Sequence, residues 1–171
     1  MALVVAQEVP TSSIMAVPHG PTGVGQARHR MREDLRISGV PDSVIDDAVL
    51  ILSELLSNAY RHGRPLSPEN GDRNGGKDGG IRAAWRVDQH GRLTVEVTDG
   101  GGPTRPLPAT PSVTARGGRG LNIISALSQD WGVRDASGEV TVWAALSARD
   151  SFATRVALVP DMTYREFDEP A

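Results

Sequence analysis

Glycine and proline are unevenly placed along these 171 residues, and their placement decides what the chain can fold into. Residues 64–80 (RPLSPENGDRNGGKDGG) and 100–119 (GGGPTRPLPATPSVTARGGR) are crowded with them, whereas Asp42 to His62 contains none. Glycine is conformationally loose, and proline lacks an N–H and clashes in a helix interior, so both interrupt regular structure. The two stretches therefore read as long loops. Loops of that length in a compact domain are either functional or disordered, and the Gly/Asn/Asp content of 64–80 favours disorder.

Regular elements fill the remaining sequence. The extended-looking SSIMAV, ended by Pro18-His19-Gly20, predicts an edge strand. Thr22 is placed to cap a helix over about 24–37, where Val24, Ala27, Met31 and Leu35 share a face and Gly39 signals the end. The clearest helix runs from Asp42 to His62, with Pro41 before it, Asp42 or Ser43 as its cap, and Gly63 as its stop. Ile45, Ala48, Leu52, Leu55, Leu56 and Ala59 form its apolar stripe; Glu54, Asn58 and Arg61 fall on roughly the opposite side. Runs 80–89 and 92–99 read as strands joined at His90-Gly91. A helix starting near Gly120 turns Leu121, Ile124, Ala126 and Leu127 inward, and a final hairpin follows with its turn at Asp135–Gly138. Helices and strands do not alternate strictly. The order predicts an α+β two-layer sandwich: a mixed, mostly antiparallel sheet with about three helices on one face.

The length suits one domain over 1–150, with 151–171 as a C-terminal extension. Without cysteine, disulfides, thiol nucleophiles and cysteine-bound zinc are excluded, and the four histidines are scattered. A net charge of -3 leaves no electrostatic footprint for nucleic acid, and no basic run marks a membrane surface. No window approaches the ~20 apolar residues of a membrane span. MALVVAQEVP is too short and too polar after Ala6 for a secretory core, so a cytoplasmic protein is expected.

Three features carry chemistry. Glu54 and Asn58 lie one helical turn apart on one face. A carboxylate and an amide oxygen so placed suit Mg²⁺, which prefers oxygen ligands; the carboxylate also suits a general base. Asp99-Gly-Gly-Gly102 ends a strand with an acceptor beside backbone that has no side chains, where a flat base with an amino group fits closely. Gly117-Gly-Arg-Gly120-Leu121 opens a helix whose N–H groups and dipole favour phosphate, with Arg116 and Arg119 to add charge. It lacks the Gly-Lys-Ser/Thr of a Walker A loop and follows no strand as a Rossmann fingerprint would. Each feature alone has an ordinary explanation: a solvated helix face, an Asp-Gly turn, a flexible loop.

In this order and spacing, the three resemble the Bergerat (GHKL-type) ATP-binding fold over about residues 22–147. Glu54-Leu-Leu-Ser-Asn58-Ala-Tyr-Arg-His62-Gly63 looks like its N box, Asp99–Gly102 like its first glycine box, and Gly117–Leu121 like its second. The similarity is greatest to small anti-sigma-factor serine/threonine kinase-like proteins of actinomycetes. What this resemblance implies is an ATP and Mg²⁺ site. Asn58 would hold the metal, Glu54 would be the base, and Asp99 would meet the adenine amino group with Gly101 leaving room for the ring. Residues 103–116 would form the lid; Gly118, Arg119 and Gly120 would wrap the phosphates, and Leu121 after them would also bind the nucleotide. His62 would contact the nucleotide or cap the helix. The implied partners are an anti-anti-sigma antagonist protein, a sigma factor and a second copy in a homodimer, with no nucleic acid or membrane. A kinase and a nucleotide-gated binding module both fit these residues. Pro103 departs from the family pattern, stiffening the backbone after Gly102 and removing one donor.

Overall fold

The structure is a computed structural model describing residues 11–18, 20–66, 80–102 and 119–149, with backbone alone at Thr11 and 119–121. Residues 67–79 of the first long loop, the expected lid at 103–116 and the extension at 151–171 lie outside the described residues.

Among the described residues five strands form one sheet: β1 (Thr11–Val17), β2 (Ile81–Val87), β3 (Arg92–Asp99), β4 (Asp130–Ala136) and β5 (Glu139–Ser147). Their order is β1-β2-β3-β5-β4, and every neighbouring pair is antiparallel rather than mixed. β1 is an edge strand, as its sequence suggests. The register lines up Ala83 with Val97 and Val97 with Val142, then Trp85 with Val95 and Val95 with Ala144. Alternation places these side chains on one face, where they are buried. The opposite face carries the Arg134–Glu96 and Arg82–Glu139 ion pairs.

Among the described residues three helices accompany the sheet: α1 (Pro21–Ile37), α2 (Asp42–His62) and α3 (Arg119–Leu127). α2 is central, touching β2, β3, β5 and both other helices. That position explains why its apolar arc is wider than the expected stripe. Val44, Val49 and Ile51 are buried as well as Ile45, Ala48, Leu52, Leu55, Leu56 and Ala59.

The helix ends differ from the sequence reading in an instructive way. α1 begins at Pro21 with Gly20 as N-cap, so Thr22 lies inside the first turn and caps nothing. Proline's fixed φ suits the first helical position, where its missing N–H is no loss. At the other end, Val40 N–H reaches the Leu35 carbonyl and Gly39 N–H the Arg36 carbonyl, each at 3.0 Å. With Gly39 at φ 76°, this is a Schellman closure. α2 is capped by the Pro41 carbonyl, which accepts the N–H groups of Val44 and Ile45 at 3.0 Å. Asp42 and Ser43 are thereby drawn into the helix, and Asp42 instead accepts from Arg36 Nε at 3.2 Å. In α3, Ile124 and Leu127 face inward, but Ala126 is exposed because it sits about 200° around the helix from Ile124. The last hairpin turns on two residues, Ser137 and Gly138, at φ 53° and 79°. This is the compact primed geometry that matches strand twist, tighter than a four-residue turn.

One polar group pins the far end of the sandwich. Asp34 Oδ2 on α1 accepts from Ser13 Oγ at 2.6 Å and from Trp85 Nε1 at 3.1 Å, joining α1 to β1 and β2.

Candidate functional site

The C-terminal half of α2 brings its polar residues to the edge of the core. Glu54 and Asn58 are half-buried between the buried Leu55, Leu56 and Ala59. Asn58 Nδ2 is the one side-chain nitrogen or oxygen among the described residues that is fully buried without a hydrogen-bond partner. Leaving a buried polar atom unmade costs about 1–3 kcal/mol, so such an atom calls for a ligand or water.

At the end of β3, Asp99 is only 8% exposed. Just before it, the Thr98 and Thr141 hydroxyls meet at 2.7 Å and tie β3 to β5. Asp99 Oδ1 accepts the Gly101 N–H at 2.7 Å, an Asx turn closed by a residue at φ 80°. Among the described residues no cation pairs with the carboxyl, and burial raises its pKa above the usual aspartate value. The Gly101 N–H partly offsets that rise. A carboxyl desolvated beside bare backbone makes this turn a candidate functional site.

Three glycines join this turn to the end of α2. A Cβ on Gly63 would overlap the Asp99 Cγ and Oδ2. A Cβ on Gly100 would overlap the Pro65 carbonyl, and Gly100 N–H already bonds the Arg64 carbonyl at 2.6 Å. A Cβ on Gly102 would overlap the His62 carbonyl. The segment 62–65 and the turn 99–102 are thus packed closely, backbone against backbone at Gly100 and Gly102, with the Asp99 carboxyl against Gly63 between them. Sequence reasoning named these residues within motifs but missed this interlock. The available signal was the Gly100–Gly102 run at one end of the contact and the lone Gly63 at the other, which sequence separation hides.

The structure therefore brings the end of α2, at His62 and Gly63, against the turn bearing Asp99 and Gly101, while Glu54 and Asn58 lie further back along the same helix. The His62 side chain is exposed while its carbonyl faces Gly102. Arg119 and Gly120 open α3, which packs on α2. Gly118 lies outside the described residues, as do the side chains of Arg119 and Leu121.

A helix-backed antiparallel sheet, with an unpartnered buried amide nitrogen on its central helix and a buried carboxyl at a strand end, makes an α+β domain with a candidate ligand site. Residues 17–146 match the family described as the histidine kinase-like ATPase domain, and the chain belongs to that family. Its fold is similar to the crystal structure of the RsbU and RsbW domains of Rv1364c from Mycobacterium tuberculosis. That match has a TM-score of 0.57 and 20% identity, covering 80% of this chain and 32% of the other, so this chain spans about a third of that protein's length. It is similar also to the SiaB-SiaC complex from Pseudomonas aeruginosa, at a TM-score of 0.51 and 14% identity over 78% of this chain and 88% of the other. The comparison with curated proteins gives no match.

Proposed function

We propose that this protein binds Mg-ATP at the α2 end and the Asp99 turn, and transfers the γ-phosphoryl group to a Ser or Thr of an antagonist protein. The observation that carries the reading is the buried Asp99 carboxyl, without a described cation and fixed against the end of α2. In its charged form it accepts a hydrogen bond from the adenine amino group, and the glycines around it let a flat ring approach. Asn58 would offer Mg²⁺ its side-chain oxygen, because the amide nitrogen is a donor and is buried away from solvent. Among the described residues no three His, Asp or Glu side chains form a metal cage. Mg²⁺ held by one or two protein oxygens, water and phosphates needs none, and it would neutralise charge developing on the phosphoryl oxygens.

Glu54, one turn before Asn58, is the proposed base. It takes the proton of the attacking hydroxyl as that oxygen bonds to the γ-phosphorus and the bond to the ADP oxygen breaks. Arg119, Gly118, Gly120 and Leu121 are proposed to hold the phosphates from the start of α3, and His62 to border the nucleotide. The SiaB-SiaC structure is a complex of two proteins, which supports a protein partner here. A sigma factor is the proposed downstream target, and a homodimer the proposed assembly. The cell compartment proposed is the cytoplasm; no described helix is long and apolar enough to cross a membrane.

Incubation with γ-labelled ATP and candidate antagonist proteins tests the activity. Label should move to the antagonist with wild type and fail to move with Glu54→Gln, while ATP binding persists in both. Tight ATP binding by wild type without transfer to any antagonist would reject the kinase and leave a nucleotide-gated binding module.

A further inference from the structure

We propose that Gly63 is the positioning residue for purine selectivity: its missing side chain lets the end of α2 close on the Asp99 carboxyl and fix the acceptor that meets a 6-amino group. This rests on the Mg-ATP reading above. Gly63 ends α2, its N–H bonding the Ala59 carbonyl at 2.9 Å, with φ -88° and ψ 171°. That is ordinary extended backbone, open to any residue. Conformation therefore does not demand glycine here, whereas space does. A Cβ would overlap both Cγ and Oδ2 of Asp99 and come within 2.7 Å of the Ala59 carbonyl oxygen.

The carboxyl is consequently held from two sides. Oδ1 is fixed by the Gly101 N–H at 2.7 Å, and Oδ2 rests on the Gly63 Cα. A side chain at position 63 leaves two outcomes. Either the carboxyl rotates off its Asx turn, or the 62–65 segment parts from the 99–102 turn and breaks the Gly100–Arg64 bond. Both displace the acceptor. Hydrogen-bonded recognition depends on placement within a few tenths of an ångström, and a charge-assisted bond is worth about ten- to a hundredfold in affinity. Gly63 thus contributes to base choice without touching the base.

The test compares ATP with inosine triphosphate, in which an oxygen replaces the 6-amino group, by calorimetry with Mg²⁺ present. Wild type should prefer ATP by at least tenfold. Gly63→Ala should lose most of that preference through weaker ATP binding, with inosine triphosphate affinity nearly unchanged. Gly138→Ala, strained but distant in role, should keep the preference. A Gly63→Ala protein that retains the wild-type ratio overturns the proposal. Wild type failing to bind ATP at all instead defeats the reading beneath it. Should Gly63→Ala fold poorly, a stability cycle with Asp99→Ala decides: its penalty should shrink when the carboxyl is absent, and an equal penalty in both backgrounds overturns the contact.

Discussion

The Asp99–Gly102 turn and the Ser137–Gly138 turn both use glycine, and Gly101 approaches the Gly138 carbonyl closely enough that a Cβ there would sit 3.3 Å from it. Their reasons for glycine differ. Gly138 has φ 79° and open space around its Cα, so it serves only the turn's backbone geometry. Gly100 and Gly102 need no unusual φ; they are glycine because the carbonyls of Pro65 and His62 occupy the side-chain position. The first kind of glycine builds a hairpin. The second kind brings two distant segments into backbone contact around a buried carboxyl, which is how a site rather than a turn is made.

Substitution separates the two. Gly100→Ala and Gly102→Ala should each destabilise the protein by about 3 kcal/mol, the upper part of the range for forced overlap in a packed region. Gly138→Ala should cost only about 1 kcal/mol, the penalty for a left-handed residue with a Cβ. Urea unfolding measures both, and equal losses at the two turns would erase the distinction. Next in size, Asn58→Ala should weaken Mg-ATP binding at least tenfold, about 1.4 kcal/mol, with little change in melting temperature. Calorimetry showing unchanged affinity would remove Asn58 from the metal assignment. Smallest is Ser137→Asn, which installs the Asn-Gly pair favoured in a two-residue hairpin loop. It should raise stability by about 0.5 kcal/mol and leave nucleotide affinity alone; a change in affinity would tie the hairpin to the site.

What the sequence made legible follows from how local each feature is. The α2 span, the strand alternation of Leu93, Val95 and Val97, and the breakers at Gly39 and His90-Gly91 rest on short-range physics and correspond to observed elements. The caps were harder. Whether Asp42 or the Pro41 carbonyl closes α2 depends on a contest between two nearby acceptors, and Arg36 draws Asp42 away. Alanine is ambiguous between core and surface, so only the docking of α3 decides that Ala126 is exposed rather than inward. The Gly63–Asp99 contact was least legible of all. It joins residues far apart in sequence, and glycine carries no hydrophobic pattern to betray a close approach.

The buried carboxyl also has a stability consequence with a definite sign. Its pKa is raised in the folded state, so folding is favoured below the ordinary aspartate pKa and that contribution is lost as pH rises through the raised value. Asp99→Asn keeps an acceptor for the Gly101 N–H but removes the charge. Its stability relative to wild type should therefore rise between acid and neutral pH in the absence of nucleotide.

The most direct test of the central claim is calorimetric titration of Mg-ATP into wild type and Asp99→Asn at neutral pH, with thermal melts of both apo proteins alongside. The account predicts at least tenfold weaker binding in a variant that melts no lower than wild type. Equal affinity in the two proteins would contradict it.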